Sequence, residues 1–361
     1  MKRPGIPYLK KKFSALLLSW DEEHNSREMP WKGEKDPYRI WISEIILQQT
    51  RVEQGLNYYT RFIKAFPDIH MLAGADDKKV FKLWEGLGYY SRCRNLIETA
   101  RQVSKEFKGK FPDTYAGLKE LKGVGPYTAS AIASFAFNQP HAVVDGNVFR
   151  VLSRLFGISR PVDSAEGKKI FTGLANDLMD KNQPGKYNQA IMDFGAVICK
   201  PQPVCKQCIF SNSCFAFLND NVQEFPVKEK KISIRKRWFY YLIIQQENRI
   251  AVRQRVEKDI WQQLFEFPLV ESAGALTRNK ILLKAEQLGL LEDSKYEVED
   301  ISPLMQQQLS HQLISGQFVS IRIHKRSKFN NAWTWVPKNR IGGYAFPGFI
   351  NQYLDKKPPN S

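Results

Sequence analysis

Four cysteines just past the middle of the chain restrict what it can fold into more than any other feature. Cys199, Cys205, Cys208 and Cys214 follow the pattern C-x5-C-x2-C-x5-C. Four thiolates this close in sequence can bind one metal centre, because a C-x2-C pair brings two sulfurs together on a tight turn. Two disulfides are the alternative. The N-terminal residues 1–12 (MKRPGIPYLKKK) lack the apolar stretch of a secretory signal, so we expect a reducing, cytoplasmic compartment and a metal site. Ligand type alone leaves zinc and an iron–sulfur cluster both open.

Length and charge narrow the class of protein. The 361 residues suffice for two ordinary domains, and a hydrophobic content of 43% is typical of globular protein. Lys and Arg number 54 against 37 Asp and Glu, a net charge of +17, which favours a polyanionic partner, most often nucleic acid. A basic face without a partner is the alternative. We expect no membrane association, because no apolar run approaches the roughly 20 residues that cross a bilayer and no basic amphipathic anchor stands out.

The pattern of apolar residues changes near residue 222. Before it, apolar residues recur at helical spacing and Gly or Pro turn signals separate the predicted helices. After it, β-branched and aromatic runs predict strands around one helix. We therefore predict a helical domain over residues 1–221, a charged linker over 222–237 and a mixed α and β domain over 238–361. The predicted helices include Phe13–Trp20, Ile40–Leu47, Val80–Trp84, Ala129–Phe137, Val148–Phe156 and Lys280–Leu288, and the predicted strands Trp238–Gln245, Ile250–Arg253 and Phe318–His324.

The segment Leu121–Thr128 (LKGVGPYT) predicts a tight turn between two helices. Gly123 and Gly125 flank an apolar residue, and the backbone N–H groups at the start of the second helix can bind a phosphate oxygen without reading a base. An ordinary helix–helix turn is the alternative. The signal becomes more specific because an apolar helix and then Val143–Asn147 (VVDGN) follow.

These motifs together resemble a known superfamily. The order L-x-G-V-G-x-x-T, V-D-G-N-V-x-R-V-x-x-R and four clustered cysteines resembles the helix-hairpin-helix DNA glycosylases. Within that superfamily, Trp41–Thr50 (WISEIILQQT) and Gly86–Arg92 (GLGYYSR) are similar to the MutY adenine DNA glycosylases. The resemblance runs through roughly residues 8–220 and resumes in the second domain. It implies a 4Fe–4S cluster on the four cysteines and a double-stranded DNA substrate with adenine opposite 8-oxoguanine or guanine. We expect the protein to act as a monomer.

Glu44 is the candidate general acid. It shares a helical face with Ile40 and Trp41, and burial there raises the pKa of a carboxyl group toward the neutral range that a general acid needs. A buried glutamate paired with an arginine is the alternative. By resemblance, Glu44 protonates a ring nitrogen of adenine and makes the base a better leaving group.

Asp145 and Tyr127 are the other candidate catalytic residues. Asp145 directly precedes a predicted helix and is a natural N-cap; the resemblance adds stabilisation of the cationic sugar and positioning of the attacking water. The two roles are compatible, because a capping carboxylate stays ionised and fixed in direction. Tyr127 occupies the hairpin position where relatives resembling endonuclease III carry a lysine nucleophile. Since tyrosine cannot form a Schiff base, we predict a monofunctional glycosylase.

The resemblance also implies a set of DNA contacts. An enzyme that acts on a base must extrude it and fill the gap, and Gln49 and Tyr89 match the wedge that enters the duplex. Gln189 matches a position that contacts the extruded adenine. Surface amides and a packed aromatic pair are the alternatives. The remaining expected contacts are Gln48, Thr50, Gly123, Gly125 and Asn147, with Arg27, Trp31 and Lys32 at the pocket or its rim.

Two departures from the family pattern stand out. The family spacing is C-x6-C-x2-C-x5-C, so the first gap here is one residue shorter and contains two prolines, which restrict the loop. In the second domain, Trp261–Pro268 (WQQLFEFP) is similar to a segment of the MutT-like domain of MutY proteins, but the acidic catalytic box of Nudix hydrolases is absent. We therefore expect this domain to read DNA. Leu309-Ser310-His311 lies where many members have Phe-Ser-His, a loop that recognises 8-oxoguanine; a plain loop is the alternative.

Two other functions remain open on the sequence alone. One is a different glycosylase of the superfamily, which removes oxidised pyrimidines or mismatched thymine and leaves the MutT-like domain without a purpose. The other is a non-catalytic lesion-binding protein, which has no need for Glu44 on an apolar face.

Overall fold

The protein divides into two compact units in its computed structural model, which describes residues 6–229, 233–291, 296–324 and 333–356. One unit comprises Met1–Gly74 and Arg94–Lys231, and the other Ala75–Cys93 and Ile232–Ser361. The sequence placed residues 75–93 in the helical domain. They group with the second unit because Lys82 Nζ donates to the Tyr344 carbonyl at 3.0 Å and the Phe346 N–H donates to Glu85 Oε1 at 2.7 Å. Such long-range pairing leaves no local sequence signal.

The first unit is helical. Its helices pack around a core that includes Phe13, Trp20, Tyr187, Phe194 and Phe210, all at most 4% exposed. Among the described residues, no helix has the length and apolar composition needed to cross a membrane. The helices are α1 Ile6–His24, α2 Pro37–Leu47, α3 Val52–Ala65, α4 Ile69–Ala73, α5 Asp77–Trp84 (in the second unit), α6 Tyr90–Glu106 (shared by both units), α7 Tyr115–Lys119, α8 Pro126–Phe137, α9 Gly146–Phe156, α10 Ala165–Leu178, α11 Pro184–Val197 and α12 Phe215–Leu218.

Local signals explain where the central helices begin. The Asp36 side chain caps α2 by accepting from the Tyr38 N–H, and Pro37 occupies the first turn, where no amide donor is needed. Gly125 is the N-cap of α8, and Pro126 follows it as the first residue of the helix. Asp145 is the N-cap of α9. Helix α2 is buried from Ile40 to Ile46 and packs against α8, so a polar side chain in this stretch is largely shielded from water.

The second unit contains a mixed sheet. In the part of the chain that the structure describes, the strand order is β3-β2-β1-β7-β5, with β4 on β1, β6 on β7 and β8 on β2. Strands β1 and β7 run parallel and all other pairs antiparallel. Apolar residues of β1 and β7 pack against α13 on one face. The elements are β1 Arg235–Gln246, β2 Arg249–Gln254, β3 Phe265–Glu266, β4 Leu269–Ser272, α13 Arg278–Gln287, β5 Tyr296–Ile301, β6 Met305–Gln308, β7 Gln312–Ile323, β8 Thr334–Pro337 and α14 Gly348–Leu354.

The expected linker is shorter than its composition suggested. Phe225 is buried, and strand β1 already begins at Arg235. Arg237, also placed in the linker, is 5% exposed and pairs with Asp259 and Glu271 at 2.7 Å each. A buried arginine needs such partners, and they join β1 to β4 and to the loop after β2. Residues 230–232 of the expected linker lie outside the described residues.

Candidate active site

The first unit contains a cavity of about 790 Å³. Its walls come from α2, α8, α9, α11 and the irregular segment 25–36. The volume is within the range of small-molecule binding sites. Of the predicted site residues, the cavity brings together Glu44, Tyr127, Asp145, Gln48, Gln49, Thr50, Asn147, Gln189, Arg27, Trp31 and Lys32.

Glu44 projects from the buried helix α2 and is 7% exposed. Desolvation raises the pKa of its carboxyl group from 4.5 to about 7, a hydrogen bond from Tyr127 opposes the shift, and the nearby charge of Asp145 adds to it. The structure does not pair Glu44 with an arginine, because none of the groups that shift the Glu44 pKa is a cation. A carboxylic acid with a pKa near 7 holds a proton and can donate it at neutral pH.

Tyr127 lies in the first turn of α8, beside Glu44. Its hydroxyl interacts with the Glu44 carboxyl group and lies 3.9 Å from the Met192 sulfur on α11. Burial and the two carboxylates, Glu44 and Asp145, raise the pKa of this phenol well above its usual value. Tyr127 therefore stays protonated and acts as a hydrogen-bond donor.

Asp145 is the N-cap of α9, as its position predicts. Oδ1 accepts from the Val148 N–H at 2.8 Å and Oδ2 accepts from the Asn147 amide at 2.6 Å. Burial raises the pKa of Asp145, whereas these hydrogen bonds and the charge of Arg150 act in the opposite direction. Several donors serve Asp145 and one serves Glu44. Since donors favour the ionised form, Glu44 is the better proton carrier and Asp145 the better fixed anion.

A buried asparagine fixes the chain segment that precedes Asp145. Asn188 on α11 is fully buried, accepts from the Val143 N–H at 3.0 Å, and donates to Ser134 Oγ at 2.8 Å and to the His141 carbonyl at 2.9 Å. The extended segment before Asp145 is thereby fixed to α8 and α11. Rigid support of this kind keeps the Asp145 carboxylate in one position.

The segment 25–36 is attached to α11 by charge pairs. Asp193, which is fully buried, accepts from Arg27 Nη1 at 2.7 Å and from the Asn25 amide at 2.9 Å, and Lys32 Nζ lies 3.5 Å away. The Trp31 ring meets Tyr59 edge-on at 5.3 Å between centroids. These contacts place Arg27, Trp31 and Lys32 in the cavity wall.

Four of the predicted DNA contacts in the first unit, Gln49, Thr50, Gly123 and Gly125, lie at two turns. Helix α2 ends at Leu47, so Gln49 and Thr50 follow the helix; Gln49 is exposed and has a positive φ of 57°. In the hairpin, Gly123 has φ +74°, and a β-carbon there would lie 2.6 Å from Asn95 Cβ. Only glycine fits. Gly125 has ordinary backbone angles and is the N-cap of α8, which no side chain caps.

Tyr89, Ser310 and His311 belong to the second unit. Tyr89 is 39% exposed with a positive φ of 48°, after the glycines of the Gly86-Leu-Gly88 turn. Ser310 and His311 are exposed at the tip of the β6–β7 hairpin. The Tyr89 hydroxyl is hydrogen-bonded to Ser310 Oγ. Tyr89 of the predicted wedge and the predicted lesion-reading loop are therefore neighbours within the second unit, whereas Gln49, the other wedge residue, belongs to the first unit.

The four motif cysteines are unpaired thiols in a loop that packs against the helical core. Desolvation raises the pKa of Cys199, Cys208 and Cys214. The Phe210 N–H lies 3.4 Å from Cys208 Sγ and Arg154 Nη1 lies 3.6 Å from Cys199 Sγ; such contacts tune bound thiolates. Across the described residues, no three His, Cys, Asp or Glu side chains converge closely enough for a single metal ion. Cys93, in the second unit, is a buried free thiol.

Two arginines of α9 hold the cysteine loop. Arg154 is 3% exposed and donates to the Lys200 carbonyl at 2.8 Å and the Pro201 carbonyl at 3.1 Å. Arg150 donates to the Cys199 carbonyl and to Asn147 Oδ1, both at 2.8 Å. The shortened first gap is thus accommodated in a loop whose carbonyls are bonded to α9.

Several residues that shape these sites were not among the predicted ones: Met192, Asn188, Asp193, Arg150 and Arg154. The two arginines stood inside the V-x-R-V-x-x-R motif, so their positions carried a signal. Asn188 and Asp193 flank Gln189 on α11 but carried none, because their partners lie far away in sequence.

Comparisons with known proteins cover both units. Residues 42–173 match the HhH-GPD superfamily of base excision DNA repair proteins, and residues 239–356 match the NUDIX domain, which confirms the predicted fold class of a helical helix-hairpin-helix glycosylase region followed by an α+β Nudix-like domain. An adenine DNA glycosylase from Buchnera aphidicola subsp. Baizongia pistaciae is 33% identical over 95% of this chain and 96% of its own length. The human adenine DNA glycosylase is 44% identical over 56% of this chain and 39% of its own length.

Solved structures resemble the helical region. A thermostable thymine-DNA glycosylase is 30% identical with a TM-score of 0.54, covering 58% of this chain and 97% of that chain. An endonuclease III trapped as a covalent intermediate on DNA is 20% identical with a TM-score of 0.51, covering 58% of this chain and 98% of that chain, and shows the fold alone.

Proposed function

The chain belongs to the adenine DNA glycosylases, DNA N-glycosylases of base excision repair, and we propose that it removes adenine paired with 8-oxoguanine or, less selectively, with guanine. The observation that carries this proposal is one cavity that holds an acid with a pKa near 7, Glu44, next to a capped carboxylate, Asp145. Two titratable groups in different environments suit the two halves of a glycosidic cleavage.

The reaction begins with extrusion of adenine into the cavity. Glu44 donates its proton to a ring nitrogen of the base, and Tyr127 holds the Glu44 carboxylate that remains. The C1′–N9 bond breaks and its electron pair leaves with adenine. Asp145 stabilises the positive charge that develops on the sugar. Water adds to C1′ and gives up a proton to a cavity carboxylate, which leaves an abasic site.

Tyr127 supports a hydrolytic, monofunctional reaction. A lyase mechanism requires an amine that attacks C1′ and forms a Schiff base, and the residue at this hairpin position is a phenol bonded toward Glu44. Lys32, which also lines the cavity, lies 3.5 Å from the buried Asp193 and is engaged there.

The hairpin of Ser310 and His311 supports recognition of 8-oxoguanine. Both side chains are exposed at its tip and offer hydrogen-bonding groups to a base opposite the adenine. Leu309 supplies an apolar contact without aromatic stacking. The net charge of +17 supports binding to the DNA backbone, and we propose that the protein does this as a cytoplasmic monomer.

The cysteine loop supports a 4Fe–4S cluster held by Cys199, Cys205, Cys208 and Cys214. Four thiolates on one loop are the ligand set that a 4Fe–4S cluster takes, one sulfur for each iron, and bound zinc in place of iron would contradict this proposal. The cluster would stiffen the loop, whose basic residues can face DNA. The cavity residues alone perform the steps above.

A panel of duplexes tests the proposal. With enzyme in excess, we expect adenine release from 8-oxoguanine–adenine and guanine–adenine pairs, fastest from the former, and none from cytosine-paired controls. Borohydride should trap no covalent complex. Release of thymine or an oxidised pyrimidine would favour another glycosylase, and tight binding without base release would favour a lesion-binding protein.

A further inference from the structure

We propose that Arg92 is a positioning residue that holds Tyr89 as a preorganised wedge by lying between the rings of Tyr89 and Trp84. The inference rests on the proposed function, because it concerns how the enzyme enters the duplex. All three residues lie in the second unit.

The backbone at Tyr89 needs support. Its φ of 48° lies in the left-handed region, which costs conformational energy for a residue with a side chain. Gly86 and Gly88 just before it also have positive φ values, 86° and 77°, which glycine adopts freely. A turn of this kind at an exposed site would sample other conformations unless nearby contacts fix it.

Arg92 supplies such contacts from the first turn of α6. Its guanidinium carbon lies 5.3 Å from the centre of the Tyr89 ring and 5.5 Å from that of the Trp84 ring. Both distances are within the range of cation–π attraction. A planar guanidinium stacks on aromatic faces, which a lysine ammonium does not.

The base of this stack is rigid. Trp84 is fully buried, and its indole N–H donates to the Gly88 carbonyl at 3.1 Å. The backbone N–H of Arg92 donates to the Tyr89 carbonyl at 2.8 Å, and the backbone N–H of Gly86 donates to the Tyr90 hydroxyl at 3.1 Å. The turn is therefore bonded at several points, and Arg92 transmits that rigidity to the Tyr89 ring.

The far end of the ring is also fixed. The Tyr89 hydroxyl is hydrogen-bonded to Ser310 at the tip of the β6–β7 hairpin, yet the side chain keeps 39% of its surface exposed. Arg92 supports the ring and Ser310 supports its hydroxyl, which leaves exposed surface on which a base can stack. Such preorganisation lowers the entropy lost on binding.

Burial does not remove the charge that this role needs. It lowers the pKa of Arg92 to about 10, so the guanidinium is a cation at neutral pH. Desolvation also strengthens its attraction to the two rings.

A double-mutant cycle tests the inference, with Arg92→Met, Tyr89→Ala and the double variant. The first readout is the fluorescence of 2-aminopurine placed beside 8-oxoguanine in a duplex, which reports insertion of the wedge and does not require adenine release. The second is the single-turnover rate of adenine release. We expect Arg92→Met to weaken the insertion signal and to slow release roughly tenfold, Arg92→Lys to fall between it and the wild type, and the double variant to match Tyr89→Ala.

The matched control is Arg101→Met, which removes an exposed arginine from the same helix and should leave both readouts unchanged. Losses in the double variant that multiply, or an unchanged insertion signal in Arg92→Met, would overturn the role of Arg92. If Arg92→Met fails to fold, the Arg92→Lys cycle decides in the same way. A wild-type chain that inserts its wedge but releases no adenine would refute the proposed function and leave this inference standing.

Discussion

Replacing Tyr127 with phenylalanine removes one hydroxyl group and should move the pH dependence of the reaction upward. Glu44 can donate its proton only while it is protonated, so the rate of adenine release falls as pH rises through the Glu44 pKa of about 7. The Tyr127 hydrogen bond lowers that pKa because it favours the carboxylate. Without the hydroxyl, the charged form loses a donor and the pKa rises.

The size of the shift follows from the strength of the lost bond. A hydrogen bond to a charged group contributes about 1.5–3 kcal/mol, and one pKa unit corresponds to about 1.36 kcal/mol. Glu44 is buried, so solvent screens little of this. The midpoint of the alkaline limb should therefore rise by roughly 1–2 pH units, to about 8–9. The rate on the plateau below this midpoint should decrease, because the Tyr127 hydroxyl also holds the Glu44 carboxyl group in position.

The assay is single-turnover adenine release from an 8-oxoguanine–adenine duplex between about pH 5.5 and 9.5. The matched control is Tyr38→Phe, which removes another buried hydroxyl in the same unit, one that donates to the Phe66 carbonyl at 2.6 Å. Tyr38→Phe should leave the midpoint near 7. An unchanged or lower midpoint in Tyr127→Phe would refute the assignment of the titrating group to Glu44.

Three further predictions concern other parts of the first unit. Asp145→Asn keeps an acceptor for the Val148 N–H, so the melting temperature should hardly change while adenine release slows by at least about 100-fold; a melting temperature that falls with the rate would point to capping alone. Arg154→Met removes the donors that hold the loop around Cys199, and the iron content and the absorbance near roughly 400 nm should both fall; full iron loading would contradict this support. Phe13→Ala truncates a fully buried ring and should lower the free energy of unfolding by about 3–5 kcal/mol in urea titration; a loss below about 1 kcal/mol would show that the core collapses around the gap.

Helical periodicity located helices such as α2 and α9 because their buried faces repeat, but it shortened some helices and missed others, among them α14 Gly348–Leu354 in a domain predicted to have one helix. Helix α2 was predicted to begin at Ile40 and begins at Pro37. Its start is marked by the Asp36 cap and by the proline, and not by apolar residues. Strand β7 was predicted from Phe318 and begins at Gln312. The first half of β7 contains polar residues and Gly316, so it lacks an apolar strand pattern. Gly316 pairs with Phe239 of the parallel strand β1, and a β-carbon added to Gly316 would lie 1.7 Å from the Phe239 carbonyl oxygen.

Motifs located the reactive groups, and long-range contacts located their supports. Glu44 could be predicted because an acidic residue on an apolar helical face is unusual, and burial then sets its pKa. The partnership of Asp193 with Arg27 could not be predicted, since the two residues are 166 positions apart. The grouping of residues 75–93 with the second unit had the same cause. The candidate site residues were therefore readable from local sequence, whereas the contacts that bring them together required the fold.

The most direct test of the proposed reaction compares the wild type with Glu44→Gln. Free adenine from an 8-oxoguanine–adenine duplex is measured by liquid chromatography under single-turnover conditions. Glutamine keeps the size of the side chain and cannot supply the proton, so we predict adenine release by the wild type and a loss of at least about 1,000-fold in the variant. Glu166→Gln, an exposed change in the same unit, should retain full activity. Release by Glu44→Gln at the wild-type rate would contradict the assignment of Glu44 as the acid.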